Sequence, residues 1–340
     1  MVTNPNKCFQ VAEPPNDSIS SLSFSPKADL LVATSWDNEV RCWEIKHNSS
    51  NGTTETRLKA SISHEQPVLC STWNDDGTIV FSGGCDNQVK MWPLTTPDAQ
   101  PTTVATHHAP IKDLAWIPEM ELLVTGSWDR TLKYWDIRQA SPVHTQPLPD
   151  RCYTLSVRHP FMVVGTADIT LIVFDLRNPQ VEMRRFPSPL IYQTRCVAIF
   201  PDNQGFLVGS IEGRVGVQHF DFSQQYKNYT FKSHKDGNTL YSVNSINFQP
   251  VYHTFSTAGS DGVVTIWDKN SKQKLKTIAK CNQPVSCATF NNNGSIFVYS
   301  VCYDWSKGEV EQDPGTSKSQ IFLHFPKESH VKPQFGTGFY

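Results

Sequence analysis

Serine, histidine and aspartate recur along this chain in combinations that invite comparison with a hydrolase triad. His64, His107 and His234 each stand ahead of a turn, and Ser127 and Asp129 lie within one. A nucleophile is singular and sits on a strained turn of its own, whereas here the trio repeats along the chain. The repetition predicts buried His–Asp hydrogen-bond networks that brace each repeat from within, with Ser and Trp contributing. No Gly-x-Gly-x-x-Gly and no Gly-Lys-Ser/Thr string offers a phosphate loop. Gly83-Gly84 and Gly213 read as strand ends and turns, and Asp75-Asp76 before Gly77 reads as a hairpin turn. Nine cysteines, without one Cys-x-x-Cys pair, lack the spacing of a zinc site and read as reduced, buried thiols of an intracellular protein. The expectation is a non-enzyme with no catalytic centre, metal or cofactor.

The informative charges are local. Lys269, Lys272, Lys274, Lys276 and Lys280 follow Trp267-Asp268, five lysines against one acid. Upstream stand Arg195, Arg214 and the run Phe231-Lys232-Ser233-His234-Lys235. Aromatics beside cations suit phosphate contacts and base stacking in single-stranded nucleic acid. The same surface suits an acidic peptide, because Arg grips carboxylates with two parallel hydrogen bonds. The plainer alternative is lysine on outer strands discouraging edge-to-edge pairing. All these residues fall in two adjacent repeats, whose ends can converge on one surface.

The elements that position them follow from a repeat. Ser35-Trp36-Asp37-Asn38-Glu39-Val40-Arg41-Cys42-Trp43 resembles the stretches that end in Trp92, Trp135 and Trp267, each with an Asp six residues before the Trp. Weaker copies place Phe174 six after Asp168 and Gln218 six after Glu212. A last, stretched copy joins Asp304 to the strand 321–325 across a polar insert, 305–319. Positions 43, 92, 135, 174, 218, 267 and 324 are separated by 49, 43, 39, 44, 49 and 57 residues. Those steps bracket the period of a four-stranded propeller blade, roughly 40–45 residues. The apolar alternation is of strand type, with Gly, Asn, Asp and Pro turns between.

The fold class expected is therefore all-β: a seven-bladed propeller, one domain over 1–340. The seventh unit supplies only three strands, so the N-terminal stretch, about 8–13, is expected to complete it and close the ring. Composition agrees. Of 340 residues 38% are hydrophobic and 11% aromatic, which excludes wholesale disorder, and 18% are charged, too few for long charge-laced helices. The formal net charge of -2 provides no global basic field, so any nucleic-acid contact must be a local patch. Neither a signal peptide nor an 18-residue uncharged apolar stretch is visible, which predicts a soluble protein without membrane insertion.

Repeated Trp-Asp endings (Trp135-Asp136, Trp267-Asp268) look like WD repeats. Longer strings narrow the likeness: Asp17 to Pro26, Leu148-Pro149-Asp150-Arg151-Cys152-Tyr153, Gln193-Thr194-Arg195-Cys196, Gly209 to Val215, Thr230 to His234, and Tyr303-Asp304-Trp305-Ser306-Lys307-Gly308. Together they resemble the mRNA export factors of the nuclear pore, the Rae/Gle-two family, over nearly the whole chain. The Bub-type mitotic checkpoint propellers are a sister family that shares the Gln-Thr-Arg, Glu-Gly-Arg and Phe-Lys-x-His strings. The Leu148 to Tyr153 and Asp304 to Gly308 strings favour the export factors.

The resemblance implies a nucleoporin partner with a GLEBS motif, an acidic hairpin-forming peptide, and binding of single-stranded RNA. It further implies a role in mRNA export, a place in the nucleus and at the nuclear envelope with shuttling to the cytoplasm, and contacts with spindle or checkpoint proteins. By motif matching, Arg195, Glu212, Arg214, Phe231, Lys232 and Lys235 are candidates for the peptide, and Trp267, Lys269, Lys272 and Lys274 for RNA. One departure stands out: where the family commonly has Lys-Cys-His-Arg, this chain has Lys232-Ser233-His234-Lys235, which keeps the charge but loses a bidentate fork. Trp135-Asp136-Ile137-Arg138 also fits the Trp-Asp-x-Arg box of propellers that serve cullin-type ubiquitin ligases as substrate receptors.

Overall fold

A computed structural model describes residues 8–48, 50, 52–94, 100–306, 308 and 318–333. Most of the expected polar insert, residues 307 and 309–317, lies outside the described residues.

Each repeat folds into four antiparallel strands paired in chain order, as in Val68–Trp73, Ile79–Gly84, Gln88–Pro93 and Thr102–Thr106. Burial explains the composition of each strand. The second strand is covered on both faces by neighbouring sheets and is apolar or small throughout, as in Gly205–Ser210. The outermost strand alternates half-buried and exposed residues, as in Glu182–Pro187. Seven four-stranded sheets result, as the repeat predicts. Their inner strands touch in sequence around an axis, and the last, Val285–Phe290, touches the first, Ile19–Phe24.

Hydrogen bonds stitch the sheets where they meet. Ser20 Oγ donates to Val68 O at 2.5 Å, the Leu155 amide to Asp113 Oδ2 at 2.8 Å, and Ser286 Oγ to Ile19 O at 2.6 Å.

The ring is closed by the N-terminal strand. In the seventh sheet the order is Phe9–Gln10, Gln320–His324, Phe297–Val301, Val285–Phe290, with Phe9 opposite Leu323. This strand is shorter than the expected 8–13. The Val11 amide still donates to Ile321 O at 2.9 Å. The Ala12 amide then turns to Thr56 Oγ1 at 3.1 Å, and Glu13 takes a positive φ of 50°. The Ala12 carbonyl accepts the Trp43 indole N–H at 2.8 Å, so the segment also ties the seventh sheet to the first. A two-stranded hairpin, Lys235–Asp236 with Thr239–Leu240, and a short helix, Glu328–Val331, add to the propeller.

The His–Asp pairs are bracing networks. His107 Nδ1 lies 2.9 Å from Asp129 Oδ2, and its Nε2 lies 2.7 Å from Thr125 Oγ1, which also accepts the Trp135 indole N–H at 2.9 Å. His64 pairs likewise with Asp86 at 2.7 Å and Ser82 at 2.8 Å, whereas His234 keeps only the Asp261 contact at 2.8 Å, its Nε2 without a partner among the described residues.

Burial pushes the His107 imidazole down to about 4, below its ordinary 6.5. Asp129, which burial alone would raise, is held at about 2 by hydrogen bonds from Thr131, His108 and His107. Between those two histidine values the unfolded chain binds a proton that the folded chain refuses. Stability is therefore full above pH ~6.5 and falls towards pH ~4, by on the order of 3 kcal/mol from His107. Thermal melts across that range should show the loss, and His107→Gln should flatten it. An unchanged slope in the variant would contradict this account.

Candidate functional site

Strands alternate in direction, so every sheet has two distinct ends. The upper face is taken as the end where inner strands begin and where the turn between second and third strands lies. The lower face carries the turns that join first to second and third to fourth strands.

Every inner strand slips register just after its first paired residue. A bulge re-aims the side chain it carries. The residues at these slips include Ser20, Leu69, Lys112, Tyr153, Arg195, Asn244 and Ser286, and all seven line one depression of about 360 Å³ at the upper mouth of the axis. Trp36, Trp128, Tyr303 and Trp305 form part of its wall, beside Arg151. Trp36 and Trp305 stack at 5.2 Å between centroids, and Tyr303 and Trp305 at 5.7 Å. The Asp304 carboxylate is occupied by Asn244 at 2.8 Å and by Ser260. The indole N–H groups of Trp128 and Trp305 are buried without an acceptor among the described residues. A buried donor left unmade is costly.

Of the expected peptide residues, Arg195 lies in this mouth. One guanidinium nitrogen donates to Asn244 Oδ1 at 3.3 Å. Arg214 opens the third strand of the same sheet on the same face, two strands out and therefore about 10 Å away along the sheet. It contacts Thr230 Oγ1 at 3.4 Å. Glu212 does not present itself to a ligand: its side chain is 9% exposed and lies 3.8 Å from Arg214, so it positions that arginine. Lys232 stands directly across the ladder from Arg214, two like charges in register. Lys235 is exposed on the added hairpin. Phe231 is a packing residue, 4.9 Å from Trp267. Ile191, Tyr192, Ile211 and Leu240, all exposed, surround this group on upper-face loops.

The expected RNA residues lie elsewhere. Lys269, Lys272 and Lys274 belong to the turn after Val263–Asp268 and the start of the strand that follows, at the lower face. Six residues of strand, on the order of 20 Å, separate them from the upper turn. The expectation that the two groups converge on one surface is not met; they share repeats but occupy opposite faces. The Trp267 indole donates to Thr257 Oγ1 at 2.9 Å, and its half-buried ring packs against the core beside Phe231. Lys269, only 14% exposed, lies 3.6 Å from Asp202 and 4.2 Å from the Phe200 ring. Lys272 and Lys274 are exposed.

Sequence reasoning missed Lys112, Arg151, Tyr153 and the four-aromatic wall as site residues. The signal was positional, since the second residue of each inner strand faces the mouth. Arg138 of the Trp-Asp-x-Arg box grips its own Asp136 at 2.7 and 3.0 Å, and Arg177 grips Asp175 in the next sheet in the same way. The box thus has a local role in shaping a turn. Among the described residues no cluster of His, Cys, Asp or Glu could hold a metal ion, and no helix is long and apolar enough to cross a membrane.

Residues 6–44, 56–93, 99–136 and 225–268 match the model of the WD domain, G-beta repeat. Protein RAE1 of Arabidopsis thaliana is 67% identical over 99% of this chain and 95% of its own length. The chain belongs to the Rae1 family of mRNA export factors. Protein Rae1 of Drosophila melanogaster is 44% identical over 94% of both chains. The Poly(A)+ RNA export protein of Schizosaccharomyces pombe is 41% identical over 96% of this chain and 93% of its own. In this Rae1-family chain the repeat model passes over 137–224, the stretch that holds Arg151, Arg195, Glu212 and Arg214.

Proposed function

We propose that this chain is a non-enzymatic adaptor in mRNA export that holds an acidic nucleoporin peptide of the GLEBS type on its upper face and single-stranded RNA on its lower face. The observation that carries the peptide half is the upper mouth: Arg195 and Arg214 on one face, beside an aromatic wall and framed by exposed apolar side chains. Those are the complements of a carboxylate-rich hairpin with apolar residues between its acids. Arg195, Arg214, Lys232 and Lys235 hold peptide, with Glu212 and Phe231 supporting them from beneath. The relatives' names support the export role. The sites of action proposed with it are the nucleus and the pore, with passage to the cytoplasm, and the spindle in mitosis. Rapid depletion in interphase cells tests the function: polyadenylated RNA should accumulate promptly in the nucleus. Intact export with mitotic failure alone would favour a checkpoint role instead. The ubiquitin-ligase reading rests on the four-residue box alone, whose Arg138 also braces its own turn.

On the lower face Lys269, Lys272 and Lys274 act as phosphate neutralisers. Replacing all three by alanine should weaken RNA binding and flatten its salt dependence by roughly 0.7 in slope for each phosphate no longer neutralised. Lys272 and Lys274 should account for most of the change, since Lys269 is already paired with Asp202. A salt titration checks this; an unchanged slope would remove these lysines from the site.

A further inference from the structure

The loop after the third strand of the fifth sheet is built to display aromatic rings. Its ends are pinned by Asn228 Oδ1, which accepts from the His219 amide at 3.0 Å and lies 2.9 Å from His219 Nδ1. Asp221 caps the 3-10 helix Phe222–Lys227 through the Ser223 amide at 2.8 Å, and Gln224 ties that helix to Gln204 at 3.4 Å. Nothing in the helix is buried. Phe222 is 69% exposed and Tyr226 80% exposed, so neither ring contributes much to the core.

Cations lie against these rings. The Arg184 guanidinium stacks 3.8 Å from the Phe222 centroid while its other side lies 4.8 Å from Phe186. Lys227 Nζ stands 5.7 Å from the Tyr226 ring. Lys272 Nζ lies 4.6 Å over Tyr229, whose hydroxyl donates to Lys269 O at 3.0 Å and so clamps the lysine turn against this loop. The nearby carboxylates are engaged, Asp202 by Lys269 and Asp221 by Ser223. The patch is therefore a pair of largely exposed rings, Phe222 with Arg184 on one face and Tyr226 beside Lys227, with positive charge in excess.

We infer that single-stranded RNA lays its bases on Phe222 and Tyr226 of the lower face, while Arg184, Lys227 and Lys272 meet its phosphates. The inference deepens the proposed RNA reading and rests on it. A peptide of acidic residues alone would use the cations and leave the rings idle, and one with apolar residues between its acids is told apart by the competition arm of the test. A purely apolar partner would strand the cations. A single strand uses both, because every base has a face to stack and every linkage a charge.

The test is anisotropy of labelled oligo(A), single-stranded and as its duplex with oligo(U), against the full chain over a range of salt. Phe222→Ala with Tyr226→Ala should weaken single-strand binding by about 10-fold or more at every salt concentration, with an unchanged slope, because stacking releases no counterions. Phe222→Tyr with Tyr226→Phe should bind like the native chain. Phe222→Leu with Tyr226→Leu, which keeps apolar bulk and guards against a folding artefact, should bind like the alanine pair. The duplex, its bases already stacked, should not respond to any of them. Native-like binding by the alanine pair overturns the inference and leaves RNA binding to other residues. Displacement of the strand by an acidic peptide also overturns it. Failure of the native chain to bind the strand overturns both the inference and the reading beneath it.

Discussion

Arg195→Ala combined with Arg214→Ala is expected to cost about 2–5 kcal/mol of binding to an acidic GLEBS-type peptide, or about 30- to 5,000-fold in affinity. Arg195 lies half-buried in the walled mouth, where a charged hydrogen bond to a seated peptide is stronger than in open water. Arg214 stands two strands out on the same face, with Glu212 holding its guanidinium from below. Truncating Arg214 leaves that carboxylate buried without its partner, so part of any loss belongs to the protein itself. Adding Glu212→Gln to the double variant separates the two contributions. Arg195→Lys should recover little, because an ammonium cannot offer two parallel donors. Isothermal titration with the peptide measures all of these. Near-native peptide affinity in the double variant would remove the upper mouth from the site.

Deleting residues 1–13 is expected to destabilise the chain by about 5 kcal/mol or more. The deletion strips Val11 from the core cluster it shares with Ile321, Leu323 and Trp43. It also removes the ladder to Gln320–His324 and the acceptor of the Trp43 indole. The exposed edge of Gln320–His324 would then template association between copies. Thermal melting and sedimentation of the truncated chain check both effects. A truncation that melts with the intact chain and stays monomeric would show that the ring does not need its N-terminal strand.

The seven sheets were legible because each repeats the same strand-type pattern and carries a corresponding position in its third strand, from Trp43 to His324. The missing strand of the seventh sheet was legible as a count that fell one short. The mouth was not, because a bulge breaks the parity by which sequence assigns a side chain to a face. Lys112 reads as an ordinary strand residue until the slip turns it to the axis, and Arg195 is legible by its charge and motif but not by its place at the mouth. The opposition of the two charged groups was hidden for a related reason. Membership of a repeat says which sheet a residue joins, and only its place along the strand says which end it occupies. Lys232 and Lys274 lie in consecutive outer strands, one near the upper end and one at the lower. Phe222 and Tyr226 escaped notice inside a polar-looking loop, where exposure cannot be read from residue type alone.

The central claim is that peptide and RNA occupy opposite faces of one ring. Titrating labelled single-stranded RNA into the chain, alone and saturated with the acidic peptide, tests it most directly. The account predicts the same RNA affinity in both cases, and a ternary complex with one copy of each component. Displacement of RNA by the peptide, in proportion to peptide concentration, would mean one shared surface and would contradict the account.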